Sequence, residues 1–263
     1  MICLIFGDTS FPFEILKNIK IMKKNYFIID LSRHNIFEKD KNSYKISIGQ
    51  FGKMINLIKE KNCQKVLFAG KIGKPKFSNL RIDIKGLYYM PKIIKASKLG
   101  DAAIIKVVIS ILKKEKINVI DSLTFNSELS LKRGNYSINS PSKKDIAEIK
   151  KGYKFLNKLN AYNHVQGLVI RDGKVLKTET SYGTKKMLQS IKPNKVMSGI
   201  LIKLPKKKQD LRIDLPTIGL DTLNDCKRAG LKGVVLKHKQ NIFLDQEKCI
   251  KFANKNKIFI NII

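Results

Sequence analysis

The stretch Lys203–Gly219, KLPKKKQDLRIDLPTIG, sets five cations (Lys203, Lys206, Lys207, Lys208 and Arg212) around two carboxylates, Asp210 and Asp214. It closes on Pro216 and Gly219, just before a run with helical periodicity. Cations at this density gather anionic oxygens. A carboxylate left among them either pairs with one of them or holds a water or a metal ion, and phosphate chemistry requires that mixture. The same composition also describes a charged, solvated surface loop. What the rest of the chain supplies decides between the two.

At 263 residues the chain can bury one large core or two modest ones, and its length favours two domains. A hydrophobic fraction of 43% is ordinary for a folded protein, whereas a net charge of +32 is not. The charge has no block structure: residues 1–130 carry 24 Lys+Arg against 11 Asp+Glu, and residues 131–263 carry 29 against 10. Lysine supplies 47 of the 53 cations. A protein that reads nucleic-acid sequence favours arginine forks, so this bias looks as much like compositional drift as adaptation. Either way the field is positive and favours nucleotides, phosphates or an acidic membrane surface.

Cys3, Cys63, Cys226 and Cys249 lack C-x-x-C spacing and are expected to be reduced core residues of a cytoplasmic protein. No two of His34, His164 and His238 are spaced as a helical metal site requires, which argues against a zinc centre. No apolar run approaches a membrane span, and the start, MICLIFGD, is expected to be the first strand rather than a signal peptide.

The elements that must position the charged stretch follow from periodicity. Strand Ile2–Phe6, a turn at Gly7-Asp8-Thr9-Ser10, a helix entered through Pro12, and strand Tyr26–Leu31 open a doubly wound α/β sheet. One glycine in the first turn is too few for a dinucleotide fingerprint, and a simple turn with Thr9 or Ser10 as helix cap is expected. A helix follows Gly49–Lys53, then strand Val66–Ala69, ending at Gly70-Lys71-Ile72-Gly73-Lys74-Pro75. Ligands in open α/β sheets sit beyond the carboxyl ends of strands, which makes Gly70 and Lys71 candidate binding residues.

Two helices are expected around Tyr89–Ser97 and Ala102–Lys114, the second capped by Asp101, with a core-facing stripe of Ile104, Ile105, Val108, Ile111 and Leu112. Serines and asparagines crowd residues 122–142, and the domains are set at 1–130, a linker at 131–142, and 143–263. Ser142 then caps a helix running to about Ala161. The second half brings a hairpin through Asp172-Gly173 with Glu179 beyond its far end, a short helix opened by Gly183-Thr184, and strand Val196–Leu204 leading into the charged stretch. A helix at Leu223–Ala229, strands at Val234–Leu236 and Ile242–Leu244, a further helix and a last strand at Ile258–Ile263 complete the chain.

Asp214-Leu215-Pro216-Thr217-Ile218-Gly219 is similar to the signature of the LpxI-type UDP-2,3-diacylglucosamine pyrophosphatase family. Other runs fall in the order seen in that family: Phe51-Gly52-Lys53, Phe68-Ala69-Gly70, Gly100-Asp101-Ala102, Gln166-Gly167, Gly183-Thr184 with Met187-Leu188, Lys203-x-Pro205-Lys206 and Ala229-Gly230-Leu231-x-Gly233. The resemblance spans nearly the whole chain. It implies a Rossmann-like N-terminal domain with a parallel sheet and a separate mixed α/β C-terminal domain. The implied activity adds water at the α-phosphorus of UDP-2,3-diacylglucosamine, releasing UMP and 2,3-diacylglucosamine 1-phosphate (lipid X) in lipid A synthesis. A divalent cation (Mg²⁺), a homodimer, and a cytoplasmic place peripheral to the inner membrane of a Gram-negative bacterium are implied with it.

Carried onto this chain, the resemblance makes Asp214 the essential carboxylate, as metal ligand or as proton acceptor for the attacking water. Lys203 and Lys206 would neutralise charge as the P–O bond breaks, and Gly183, Thr184 and Thr217 would grip phosphate or sugar oxygens. Ala102 and Lys185 depart from the family, since relatives often carry an acidic residue at each position. Two other classes remain as alternatives. One is a basic, non-catalytic binder of nucleic acid or anionic lipid, although no reading motif or interleaved aromatics accompany the basic runs. The other is a nicotinamide-dependent enzyme, which the missing glycines of the first turn disfavour.

Overall fold

Short, strongly apolar runs separated by helical periods form a parallel sheet in the first half of the chain. The computed structural model describes residues 1–73, 80–159, 165–194, 196–207 and 209–263. The chain divides into two units, Met1–Ser127 and Glu128–Ile263. The first unit runs β1 (Ile2–Phe6), α1 (Phe11–Ile21), β2 (Tyr26–Asp30), β3 (Ser43–Lys45), α2 (Phe51–Glu60), β4 (Lys65–Ala69), α3 (Ile84–Ser97), α4 (Asp101–Lys114) and β5 (Asn118–Val119). Its sheet has the order β3-β2-β1-β4-β5, and every pairing is parallel. β1, at the centre, is buried at all five positions, as a strand covered on both faces must be.

Local details depart from expectation at the helix starts. Ser10 occupies the N-cap of α1 but makes no side-chain cap bond, and Thr9 sits at a positive φ of 98°. Gly100, not Asp101, is the N-cap of α4, and Asp101 is its first helical residue. α3 begins earlier than its apolar pattern suggests because Asp83 caps it, accepting from the Gly86 N–H at 2.7 Å. The same carboxylate accepts from the Lys53 N–H at 2.9 Å, which ties the start of α2 to the start of α3. On α4 only Ile111 and Leu112 of the expected core stripe are buried; Ile104, Ile105 and Val108 are half-buried.

The second unit runs β6 (Gly134–Asn135), α5 (Lys143–Lys158), β7 (Gly167–Arg171), β8 (Lys174–Thr178), α6 (Gly183–Gln189), β9 (Ile200–Lys203), β10 (Thr217–Ile218), α7 (Leu220–Arg228), β11 (Gly233–Leu236), β12 (Ile242–Phe243), α8 (Gln246–Lys255) and β13 (Phe259–Ile262). Its six-stranded mixed sheet has the order β6-β13-β11-β9-β7-β8, with β10 and β12 paired in parallel beside it. The fold class is therefore α/β throughout, with a parallel sheet in the first unit and a mixed one in the second. The β7–β8 hairpin turns at Asp172 (φ 49°) and Gly173 (φ 71°), the positive-φ pair that a two-residue turn demands.

Side chains alternate across this sheet with period two. Leu168, Ile170, Ile200 and Ile202 face α5, which supplies Ile149 and Leu156. Val169, Leu201, Val234 and Leu236 face a second core built with α6, α7 and α8. Residues 131–142, expected as a linker, belong to the second unit. Leu131 is buried, its N–H donates to Asn241 Oδ1 at 3.0 Å, and Asn135 pairs with Asn261 across β6 and β13. Several of their serines and asparagines bond to the chain around them; the Ser137 hydroxyl, for example, accepts from the Ile260 N–H at 2.8 Å. Among the described residues no helix is long and apolar enough to cross a membrane, and all four cysteines are buried and free of disulfides.

Ser142 starts α5 with a reciprocal capping box: its hydroxyl accepts from the Asp145 N–H, and the Asp145 carboxylate accepts from the Ser142 N–H. Lys232 approaches Asp145 at 2.6 Å. Burial opposes ionisation of Asp145, but the Lys232 ammonium and the Ser142 donors outweigh it and hold the carboxyl below its ordinary value of 3.8. The folded pKa being depressed, this stabilisation is complete above pH 3.8 and fades as pH falls through the folded value. Asp145→Asn is expected to cost roughly 2 kcal/mol at pH 7. In thermal melts the gap from the parent protein should close as the pH is taken below about 4.

Candidate functional site

β9 ends on Lys203, and the register decides what surrounds it. Lys203 pairs with Gly167 of β7 on one side and with Leu236 of β11 on the other. By strand alternation its side chain shares a face with Leu201, toward α6 and α7, so a lysine lies where the pattern otherwise places aliphatics. It is 5% exposed. The Lys203 Nζ donates to the Thr217 carbonyl of β10 at 3.1 Å. Burial pushes the lysine below its usual 10.5, while the charges of Glu179 and Asp214 pull the other way and Lys206 adds to the depression. The Cys226 thiol of α7 also faces it, and burial raises that thiol far above its usual value, so it stays neutral.

Glu179 follows β8, and its backbone N–H donates to the Gly167 carbonyl at 2.8 Å. It is as buried as Lys203. Its Oε1 accepts from the Thr184 hydroxyl at 2.9 Å, which anchors the first turn of α6, and its Oε2 is buried with no hydrogen-bond partner. The positional signal for Glu179 in the sequence was its place at the far end of the hairpin; nothing there identified Lys203 as the residue it would face.

The loop between β9 and β10 is folded on itself. Asp210 takes the Arg212 guanidinium in a two-pronged contact, Nε to Oδ1 at 3.0 Å and Nη2 to Oδ2 at 2.7 Å, and accepts from the Arg212 N–H. Gln209 Oε1 accepts from the Lys206 N–H at 2.7 Å. Asp214 is half-buried at the end of this loop, with its N–H bonded to the Asp210 carbonyl. Lys207 is exposed, and Lys208 lies outside the described residues. Of the sequence candidates, the second unit gathers Lys203, Lys206, Asp214, Thr217 and Thr184 around one buried ammonium and adds Glu179. The hydroxyls are committed, Thr217 to the Leu215 carbonyl at 3.1 Å and Thr184 to Glu179. Gly183 opens α6 at a φ of 86°, and Lys185 is exposed.

Gly70 and Lys71 lie in the first unit at the end of β4, next to β1, where the strand order reverses. Lys71 is held there by two backbone bonds to Asp8, each 2.8 Å. Lys74 and Pro75 of the same loop lie outside the described residues, as does His164. A cavity of about 860 Å³ in this unit is elsewhere, beside β3, α2 and the start of α3. Three of its polar lining residues are engaged: Lys85 pairs with Glu115, Lys45 bonds the Ser32 carbonyl, and Asp83 caps α3.

Comparison with known proteins agrees along the whole chain. The LpxI N-terminal domain matches residues 1–129 and the LpxI C-terminal domain matches residues 132–261. A curated relative, UDP-2,3-diacylglucosamine pyrophosphatase LpxI of Caulobacter vibrioides, is 30% identical over 268 residues, an alignment covering 98% of this chain and 95% of the relative. With both domain families matched in order and a relative aligned end to end, the chain belongs to the LpxI family.

Proposed function

We propose that the protein hydrolyses UDP-2,3-diacylglucosamine in lipid A synthesis. Water adds at the α-phosphorus, the bond from that phosphorus to the bridging oxygen breaks, and UMP and 2,3-diacylglucosamine 1-phosphate leave. The relative's name supplies the substrate. The observation in this chain that supports the chemistry is a lysine, Lys203, buried in the sheet core where the charges of Glu179 and Asp214 act on it. A non-catalytic binder of nucleic acid or anionic lipid would work through its many exposed lysines. It has no need of one sunk into a sheet core at a desolvation cost.

In this reading Lys203, with Lys206 beside it, meets the negative charge that builds on the phosphate oxygens. Little water screens a charge at that depth, so its field acts strongly on a bound anion. Asp214, half-buried at the loop's end, accepts a proton from the attacking water or holds a divalent cation. A carboxylate oxygen is the hard donor that Mg²⁺ takes, and this ion keeps waters and borrows phosphate oxygens, so few protein ligands suffice. The donor chemistry of Asp214 therefore fits, although among the described residues no three His, Cys, Asp or Glu side chains group as a metal site. Such an ion would supply charge screening at the pyrophosphate when bound.

The substrate's acyl chains call for contact with a bilayer, and α3 offers apolar residues for it. Ile84 is 89% exposed, Leu87 and Tyr88 are also exposed, and Lys92 and Lys95 follow on the same helix. Apolar side chains flanked by lysines suit an anionic interface. A homodimer completes the proposal and is checked by light scattering.

Asp214→Ala should lower kcat for UMP release by about a hundredfold or more with the fold retained by circular dichroism. Asp210→Ala, whose carboxylate serves Arg212, should stay within about threefold of the parent. Equal losses in the two variants would remove Asp214 from the reaction. Activity should vanish with a chelator and return with added Mg²⁺. In co-sedimentation with anionic vesicles, a Leu87→Glu variant should bind more weakly than the parent; equal binding would take the membrane contact away from α3.

A further inference from the structure

The β7–β9 register makes Gly167 a window. Glu179, Gly167 and Lys203 stand in one row across the sheet, joined by the Glu179 N–H to Gly167 carbonyl bond and by the Gly167–Lys203 pairing. A Cβ at Gly167 would lie 3.1 Å from Glu179 Oε2 and 3.5 Å from Lys203 Cγ. A side chain there would push the carboxylate back by a few tenths of an ångström, so the glycine lets Glu179 lie close over the strand beside the lysine stem. Both are 5% exposed. Glu179 Oε1 is held by Thr184, but Oε2 has no donor. The lysine ammonium carries three donors, one of them given to the Thr217 carbonyl. A buried carboxylate oxygen left without a donor is costly, and it leaves Oε2 free to act on the charge of the lysine.

Resting on the reading that this site handles a phosphate anhydride, we propose that Glu179 is a positioning residue for Lys203: its buried carboxylate, admitted over Gly167 and clamped by Thr184, fixes where the Lys203 ammonium points while that ammonium meets the substrate's phosphate oxygens. Four groups set the charge at Lys203. Glu179 comes from the end of the hairpin, Asp214 and Lys206 from the loop between β9 and β10, and Cys226 from α7. The thiol is neutral, Lys206 repels, and Asp214 sits with the reacting groups. Glu179 is the counter-charge held by the scaffold, and it stands first among the charges that favour the ammonium form.

The test compares the full-length parent, Glu179→Gln, Lys203→Met and the double variant on UDP-2,3-diacylglucosamine. Glu179→Gln should lower kcat about tenfold or more with KM within about threefold. In the Lys203→Met background it should cost nothing further, because its effect passes through the lysine. A merely structural Glu179 would lower stability and multiply with the lysine loss; that outcome, or a Glu179→Gln enzyme as fast as the parent, overturns the inference. If Glu179→Gln does not fold, Thr184→Val, which removes the clamp, is read against the same double-variant criterion.

A second measurement needs no turnover. The Lys203 ammonium signal in ¹⁵N-edited NMR, assigned by its loss in Lys203→Met, should shift or broaden in Glu179→Gln. An unchanged signal overturns the inference even if the parent enzyme is active. A parent enzyme that fails to hydrolyse the substrate, with the signal nonetheless moved, sinks the pyrophosphatase reading and leaves the Glu179–Lys203 coupling standing.

Discussion

A lysine buried in the middle of a β-sheet is the constraint to which the second unit conforms. Moving an ammonium out of water costs several kcal/mol unless charge and hydrogen bonds replace the lost hydration. Around Lys203 each replacement comes from a different element: the Thr217 carbonyl from β10, the Glu179 carboxylate from the end of the hairpin, and Asp214 from the loop between β9 and β10. None of these is near Lys203 through sequence proximity alone. They meet because β9 is flanked by β7 and β11, because β7 is antiparallel to it, and because β10 runs beside the sheet. Aliphatic side chains and the neutral Cys226 thiol also line that face.

The loop that follows β9 divides its polar residues by task. Asp210 and Arg212 bind each other, and Gln209 turns back onto Lys206. These side-chain contacts are local to the loop, and the Asp214 N–H is held by the Asp210 backbone carbonyl instead. The same sequence therefore holds one carboxylate committed to an arginine fork and another placed within the field of a buried lysine. The high net charge says little about this. Lys207, a few residues from Lys203, is exposed, and solvent and salt screen a charge of that kind. What distinguishes Lys203 is depth.

Depth is also what the sequence displays least well. The hairpin at Asp172-Gly173 and the start of α5 at Ser142 were legible because their signals are local: a positive-φ turn pair and a capping box. The apolar strands β1, β4 and β7 were legible by composition. Strands of two or three residues, such as β3, β5, β6 and β10, fall below the length at which alternation can be recognised. Residues 131–142 looked like a linker because serine and asparagine often mark loops. Here the Ser137 hydroxyl accepts from the Ile260 N–H of β13, the backbone of β6 pairs with β13, and the Asn241 side chain holds Leu131. On α4 the apolar stripe suggested core, yet three of its five members are only half-buried. Asp214, Lys203 and Thr217 stood out in one continuous stretch. Glu179 did not, because its importance is a property of strand register, which no short window contains.

The first unit shows the converse, a familiar topology whose usual site is changed by local chemistry. The order β3-β2-β1-β4-β5 places the ends of β1 and β4 at the point where nucleotide phosphates are often bound against a helix N-terminus. That cradle depends on glycines that let the ligand approach the backbone and on free N–H groups in the first turn of the helix. Here the turn passes through Thr9 at a positive φ, the Asp8 N–H is bonded to the Lys71 carbonyl, and Pro12 removes a donor from the first turn of α1. Two of the backbone positions that could face a pyrophosphate are thus spent or lack a donor, while the strand order that would present them is intact. Topology fixes where a site can be, and side chains and free backbone groups decide whether it is one. In the second unit Glu179, Asp214 and Lys206 all act on the buried Lys203, and it is there that the proposed chemistry is placed.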